Sequence, residues 1–364
     1  MIGSPLKARA GNGQTRRSFV AYLQCGILSL VPGNTEISLQ VWKTRYVLAI
    51  VCPGQGAQSP GFLSPWLELP GVEAHLSSLS DVAGLDLLRH GTVSDAETIK
   101  DTAIAQPLIV AAGLLAARAL FGNDEVAEPD VVAGHSVGEV TAAALSGVLT
   151  ETEAMLFVRE RANKMAEAAA ATPTGMSAVV GGDPEAVLAA IHGAGLTPAN
   201  MNSAGQTVAA GTLEQLAVLA ANPPAKARVI ALQVAGAFHT EHMRPAVGAL
   251  EALSPSLHPE NPAATLLSNF DGAAVATGDA ALASLIAQVS RPVRWDLCMK
   301  TMLDLGVDSL IELAPAGTLT GLAKRAMPGI ATVAVKTPAD LDAAREILKT
   351  RTLASGATAR GEGA

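Results

Sequence analysis

Cysteine, aromatic residues and clustered positive charge are all scarce in this chain of 364 residues. Its three cysteines, Cys25, Cys52 and Cys298, are too few and too scattered for a disulfide framework or a zinc site, so no metal is expected. They suit a reducing, cytoplasmic compartment. Aromatics make up 3% and charged residues 16% against 49% hydrophobic, so a sizeable core must be filled by small aliphatic side chains, as in closely layered α/β proteins. The net charge is −8 and no Lys/Arg block interrupts it, which argues against a general nucleic-acid binder. Internal repeats are also missing.

The N-terminus lacks something too. Arg16 and Arg17 precede the apolar run "SFVAYLQCGILSLV", which resembles the first two regions of a signal peptide, but no small-x-small cleavage site follows. The run is too short to span a bilayer. Residues 1–44 therefore read as a disordered leader or a start placed too early, with no membrane role.

From Tyr46 onward the pattern is regular. "YVLAIV" and "PDVVAG" are short apolar strands, and "AQPLIVAAGLLAARAL" is a helix apolar on nearly every side. Residues 150–170 form a longer helix, with Thr150 and Glu153 spaced as a capping box. Strands alternating with helices predict a parallel sheet covered on both faces. Residues 173–235 break that rhythm with a βαββαβ order, the arrangement of a ferredoxin-like subdomain. The expected organisation is an α/β-hydrolase-like large domain over 45–172 and 236–345, the small subdomain inserted between, and a disordered low-complexity tail over 346–364.

The chemistry starts at "VVAGHSVGEV". A serine between two glycines, after a strand and before a helix, has the context of a nucleophile elbow. The bend would lift the Ser136 hydroxyl above the sheet's carboxyl edge, and the helix beyond it turns free N–H groups toward the same point. Ser136 needs a base. His239, straight after Phe238 in "VAGAFHTEHM", should stand at a strand end, whereas His242 falls into the next helix and His135 should point away. A further absence then matters. Between Ser136 and His239 the only aspartate is Asp183, which reads as a helix cap, so the expected pair is a Ser–His dyad with the imidazole oriented by a carbonyl. That weakens an ordinary esterase reading.

Separated stretches in this order resemble one family: "PGQGAQ" (53–58), "AQP" (105–107), "GHSVGE" (134–139), "RERANKM" (159–165), "NSAGQTVAAG" (202–211), "GAFH" (236–239), "RPVRW" (291–295) and "PAGTLTGLAKR" (315–325). The chain is similar, from about Tyr46 to Lys336, to the malonyl-CoA:acyl carrier protein transacylases of dissociated (type II) fatty-acid synthesis and to polyketide acyltransferase domains. The resemblance implies malonyl transfer through a malonyl-serine, with malonyl-CoA and acyl carrier protein as partners, no cofactor and a monomeric enzyme. It places oxyanion-hole N–H groups on Gln55 and Val137, the substrate-carboxylate arginine on Arg161, acyl-pocket residues on Gln106 and Asn202, and a histidine-orienting carbonyl on Gln288. Arg161 by pattern alone could equally be a charge on a solvated face, as Arg159 and Lys164 are expected to be. "GAFH" departs at its first residue from the "HAFH" of many malonyl-selective polyketide enzymes; Phe238 leaves little room for an α-methyl branch, a preference worth only ~1–3 kcal/mol. Arg291, Arg294, Lys324 and Arg325 are candidates for docking an acidic carrier. Two other readings stay open: a serine thioesterase or esterase on the same scaffold, and a non-catalytic carrier-binding module.

Overall fold

The structure, a computed structural model, describes residues 20–23, 26–29, 46–122 and 129–359. The chain divides into two compact units, residues 1–45 with 357–364, and residues 46–356. In the first, β1 (Val20–Leu23) and β2 (Gly26–Ser29) pair antiparallel. The apolar run that resembles a signal peptide thus contributes two short paired strands; the rest of the expected leader lies outside the described residues.

In the second unit, β3 (Val47–Cys52) leads to α1 (Val72–Ala83), α2 (Leu87–Thr92) and α3 (Thr102–Phe121). Helix α3 is long and apolar enough to cross a membrane by length and composition, but every residue from Ala105 to Ala117 is buried in the protein. Strand β4 (Val131–Gly134) runs into α4 (Gly138–Leu145), followed by α5 (Glu151–Ala171) with the Thr150–Glu153 capping box formed. The chain then leaves for the small subdomain: β5 (Thr174–Gly181), α6 (Pro184–Gly193), β6 (Thr197–Ser203), β7 (Gln206–Thr212), α7 (Leu213–Ala221) and β8 (Ala227–Ala231). Asp183 caps α6. Its four strands pair antiparallel in the order β6-β7-β5-β8, with the two helices as crossovers. The large domain resumes with α8 (Arg244–Leu253), β9 (Thr265–Leu267), α9 (Gly278–Gln288), α10 (Trp295–Asp304), β10 (Val307–Glu312), α11 (Thr318–Ala326), β11 (Ala331–Ala334) and α12 (Leu341–Ala359).

The large sheet has five parallel strands in the order β11-β10-β3-β4-β9. Burial on both faces explains why β3 reads as an unbroken apolar run; Leu48 to Cys52 are at most 1% exposed. The register sets Cys52 opposite Gly134, so the turns after β3 and β4 leave the carboxyl edge side by side. The His135 N–H donates to the Cys52 carbonyl at 2.9 Å and ties them together. Ligands of open parallel sheets bind at this edge. The small sheet is pinned to the large domain through its edge strand: the Met201 N–H donates to the Val293 carbonyl and the Val293 N–H to that of Ala199.

The C-terminal expectation needs correction. The tail expected to be disordered from residue 346 is helical as far as Ala359; residues 360–364 lie outside the described residues. The alanine content that reads as low complexity is also good helix former. A capping box at Thr337 and Asp340 precedes the helix, and Leu341, Ala344 and Leu348 bury one stripe. Arg351 then pairs with Asp130 at 2.5 Å.

Candidate active site

The elbow is built on steric necessity. A Cβ at Gly134 would lie 2.0 Å from the Gly138 carbonyl carbon, and one at Gly138 would lie 2.1 Å from the Cys52 carbonyl oxygen. The glycines let turn, helix and neighbouring strand touch through backbone alone. Ser136 between them has φ +54°, in the left-handed region that costs a non-glycine residue roughly 1–3 kcal/mol. Three groups hold it there. Asn269 Oδ1 accepts the Ser136 N–H at 2.8 Å, while its carbonyl accepts from Gln288 Nε2 at 3.0 Å and from the Glu139 N–H at 2.9 Å.

His239 also sits at positive φ, +61°, in a turn stitched by Thr240 Oγ1 donating to the Ala237 carbonyl and Ala237 N–H donating to Thr174 Oγ1. Its Nε2 lies 2.7 Å from Ser136 Oγ, and its Nδ1 lies 2.9 Å from the Gln288 carbonyl oxygen. A carbonyl only accepts, so the proton stands on Nδ1 and Nε2 is left free to accept from the serine. Burial, then the nearby Arg161 charge, push the imidazole down from 6.5 to about 3. His239 is held neutral, with a carbonyl and no carboxylate behind it.

Arg161 is almost wholly buried, on the stripe of α5 formed by Ala154, Phe157, Val158 and Met165. Nη1 donates to Gln106 Oε1 at 2.5 Å, and Nη2 donates to Gln288 Oε1 at 2.8 Å and to Ser136 Oγ at 3.4 Å. Nε is buried without a partner. Among the described residues, no acidic side chain forms an ion pair with this guanidinium. Two neutral amides hold it beside Ser136, and burial lowers its pKa to about 10, so it stays charged. Arg159, by contrast, is half-buried and donates to the Val82 carbonyl, and Lys164 pairs with Glu167.

The other expected residues divide. Among the described residues, the N–H groups of Gln55 and Val137 donate to no protein acceptor, and the two turns that carry them are adjacent. The Gln55 side chain donates to the Lys100 carbonyl. Phe238 is buried before the histidine. Gly236 faces Ala169, whose Cβ an added side chain would meet at 2.7 Å, so a histidine in its place would need α5 to shift. Asn202 is buried, with its Oδ1 bonded to His135 Nε2 at 2.8 Å. Three features escape the sequence reading: Asn269, buried Glu139, and the Gln288 side chain, where only its backbone was expected to matter. Asn269 closes "ATLLSN" just past the carboxyl end of β9, so a survey of polar strand ends would find it. Among the described residues, no group of three or more His, Cys, Asp and Glu side chains is placed to hold a metal.

A strained serine, a carbonyl-oriented histidine and an unpartnered pair of N–H groups on a parallel sheet make up a candidate site for acyl transfer. Residues 49–341 match the acyl transferase domain family, and the chain belongs to that family. It is 51% identical over 297 residues to the malonyl CoA-acyl carrier protein transacylase of Mycobacterium tuberculosis, covering 81% of this chain and 98% of that one. The crystal structure of MCAT from the same organism superposes with a TM-score of 0.78 at 49% identity, over 83% of this chain and all of that one. A complex of a malonyl-transacylase with its type II PKS acyl-carrier protein, PlMCAT:AntF, gives 0.76 at 29% identity, over 84% of this chain and 99% of that one.

Proposed function

We propose that this acyltransferase moves the malonyl group from malonyl-CoA to the phosphopantetheine thiol of acyl carrier protein, supplying fatty-acid elongation, through an ester on Ser136. The observation that carries the reading is a buried, charged Arg161 placed 3.4 Å from the nucleophile and held only by amides. An esterase needs no such cation; a carboxylate-bearing acyl group does.

His239 Nε2 takes the Ser136 proton as Oγ attacks the thioester carbonyl, and the Gln55 and Val137 N–H groups receive the oxyanion. The tetrahedral adduct collapses, the C–S bond breaks, and the histidine returns the proton to the CoA sulfur. The carrier thiol then gives its proton to the same nitrogen, attacks the malonyl ester, and releases Ser136 as hydroxyl. Arg161 grips the free malonyl carboxylate throughout both halves. No bound cofactor is required. Docking of an acidic carrier falls to exposed cations: Lys324 and Arg325 close α11, whereas Arg294 is already paired with Asp296 at 2.8 Å. The buried free thiols Cys52 and Cys298 suit the cytoplasm.

Incubation with labelled malonyl-CoA should place label on Ser136, retained until acyl carrier protein is added, and Ser136→Ala should take none. Label lost to water at the same rate without carrier would make it a thioesterase; no covalent label would overturn the reading. Arg161→Ala should lose malonyl transfer by at least about a hundredfold, the cost of an unmade charged hydrogen-bond pair, and gain acetyl transfer. An unchanged malonyl-to-acetyl ratio would remove the clamp.

A further inference from the structure

The mechanism leaves one buried charge unused. Glu139, in the first turn of α4, is 3% exposed, and its two oxygens face separate donors. Oε1 accepts the Asn269 N–H at 3.2 Å, and Oε2 accepts a short hydrogen bond from Gln288 Nε2. The Gln288 side chain is therefore a relay. Its nitrogen faces three acceptors, Glu139, the Ser136 carbonyl and Asn269 Oδ1, so its oxygen must face the other way, toward Arg161 Nη2. Glu139 and Arg161 form no direct ion pair; the amide stands between them.

We infer that Glu139 is a positioning residue for the acyl-carboxylate clamp, its carboxylate fixing the Gln288 amide so that the amide oxygen aims Arg161 at the acyl group. This rests on the reading of Arg161 as that clamp.

An isosteric amide exposes the logic. In Glu139→Gln one acceptor becomes a donor. The Asn269 N–H is backbone and cannot turn, so the new NH₂ must face Gln288. Gln288 can answer only by flipping, which sets its own NH₂ against the guanidinium and its oxygen against the Ser136 carbonyl. Either outcome displaces Arg161. Simple charge removal acts in the opposite direction: loss of a nearby anion would strengthen malonyl binding.

At pH 8, where Glu139 is a carboxylate, the test compares acylation of Ser136 by malonyl-CoA with acylation by p-nitrophenyl acetate, whose acyl group has no carboxylate. Glu139→Gln should lower the malonyl-to-acetate ratio of kcat/KM about tenfold or more, a typical cost of a mispositioned binding group, and Glu139→Asp, which keeps two acceptors, should recover part of that loss. Gln288→Met retains the backbone carbonyl that orients His239 and removes the relay together with the hydrogen bond to the Ser136 carbonyl, a loss that acts on both acyl donors alike. It should therefore lower the ratio similarly, and the double variant should be no worse than either single one. A ratio unchanged or raised in Glu139→Gln, or additive losses in the double variant, would overturn the inference. Should Glu139→Gln fail to fold, an unchanged ratio in Gln288→Met would overturn it alone. Failure of the clamp itself shows separately, as an unchanged ratio in Arg161→Ala.

Discussion

His239 differs from a solvent-exposed histidine in a way kinetics can read. Its pKa near 3 leaves Nε2 unprotonated through the whole neutral and mildly acidic range. With p-nitrophenyl acetate as acyl donor, kcat/KM should stay nearly constant from pH 8 down to about 5. An acid limb with its midpoint near 6.5 would show that the imidazole is solvated and this account of its burial wrong. Much of this centre was legible residue by residue: Ser136 and His239 carry local signals, a glycine-flanked turn and a strand-end return. Arg161 was half legible: by pattern alone it could equally have been a solvated charge, and its burial on the stripe of Ala154, Val158 and Met165 belongs to the fold. The partner of Asn202 was not, since nothing at position 202 announces that His135 will fold against it.

Among the elements, the join of β4, elbow and α4 carries the tightest constraint. A methyl group on Gly138 would sit within 2.7 Å of three backbone atoms of Cys52 and Pro53, none of which can rotate away. Gly138→Ala should therefore destabilise the protein by about 3 kcal/mol or more, the cost of forced backbone movement in a packed core, and should abolish acylation of Ser136. Urea denaturation checks the first part; a loss under 1 kcal/mol would mean that the β3 turn yields cheaply. At this scale the sequence was generous wherever caps and periodicity speak, as at Thr150 and Asp183. It misled at α12, where alanine-rich composition looked shapeless. One of its supports is remote: the Arg351–Asp130 pair spans more than two hundred positions, and no local pattern contains it.

Protonation of buried groups sets how the whole molecule responds to acid. His239 and His135 are both held below 6.5, chiefly by burial, so between 6.5 and their native values the unfolded chain binds protons that the native state refuses. Stability falls as pH drops through that window. Glu139, raised by burial from 4.5 to about 7, works the other way, with a native proton that the unfolded chain has lost, so stability falls as pH rises from 4.5 to 7. Over pH 6.5 to 4.5 His239 and Glu139 act in opposite senses, and His135, lowered by burial, tips the balance toward loss. Below 4.5 the carboxylates of Glu151 and Glu153, held down by hydrogen bonds from His75 and from the Thr150 and His258 backbone, add to the loss. The midpoint of urea unfolding should be lower at pH 4.5 than at pH 6.5; an equal or higher midpoint at pH 4.5 would contradict these assignments.

The order of strands and helices, the inserted antiparallel subdomain, the elbow and its histidine were all determined by the sequence itself. Each rests on interactions between near neighbours: alternation, capping, glycine at a turn. The tertiary structure alone decided what stands around them. Asn269, Glu139 and the Gln288 side chain meet at Ser136 only because β9 lies beside β4 and the C-terminal end of α9 reaches the elbow, bringing together residues up to 152 positions apart. Buried polar groups must find partners wherever the fold supplies them, and which partner each one finds is a property of the assembled sheet edge.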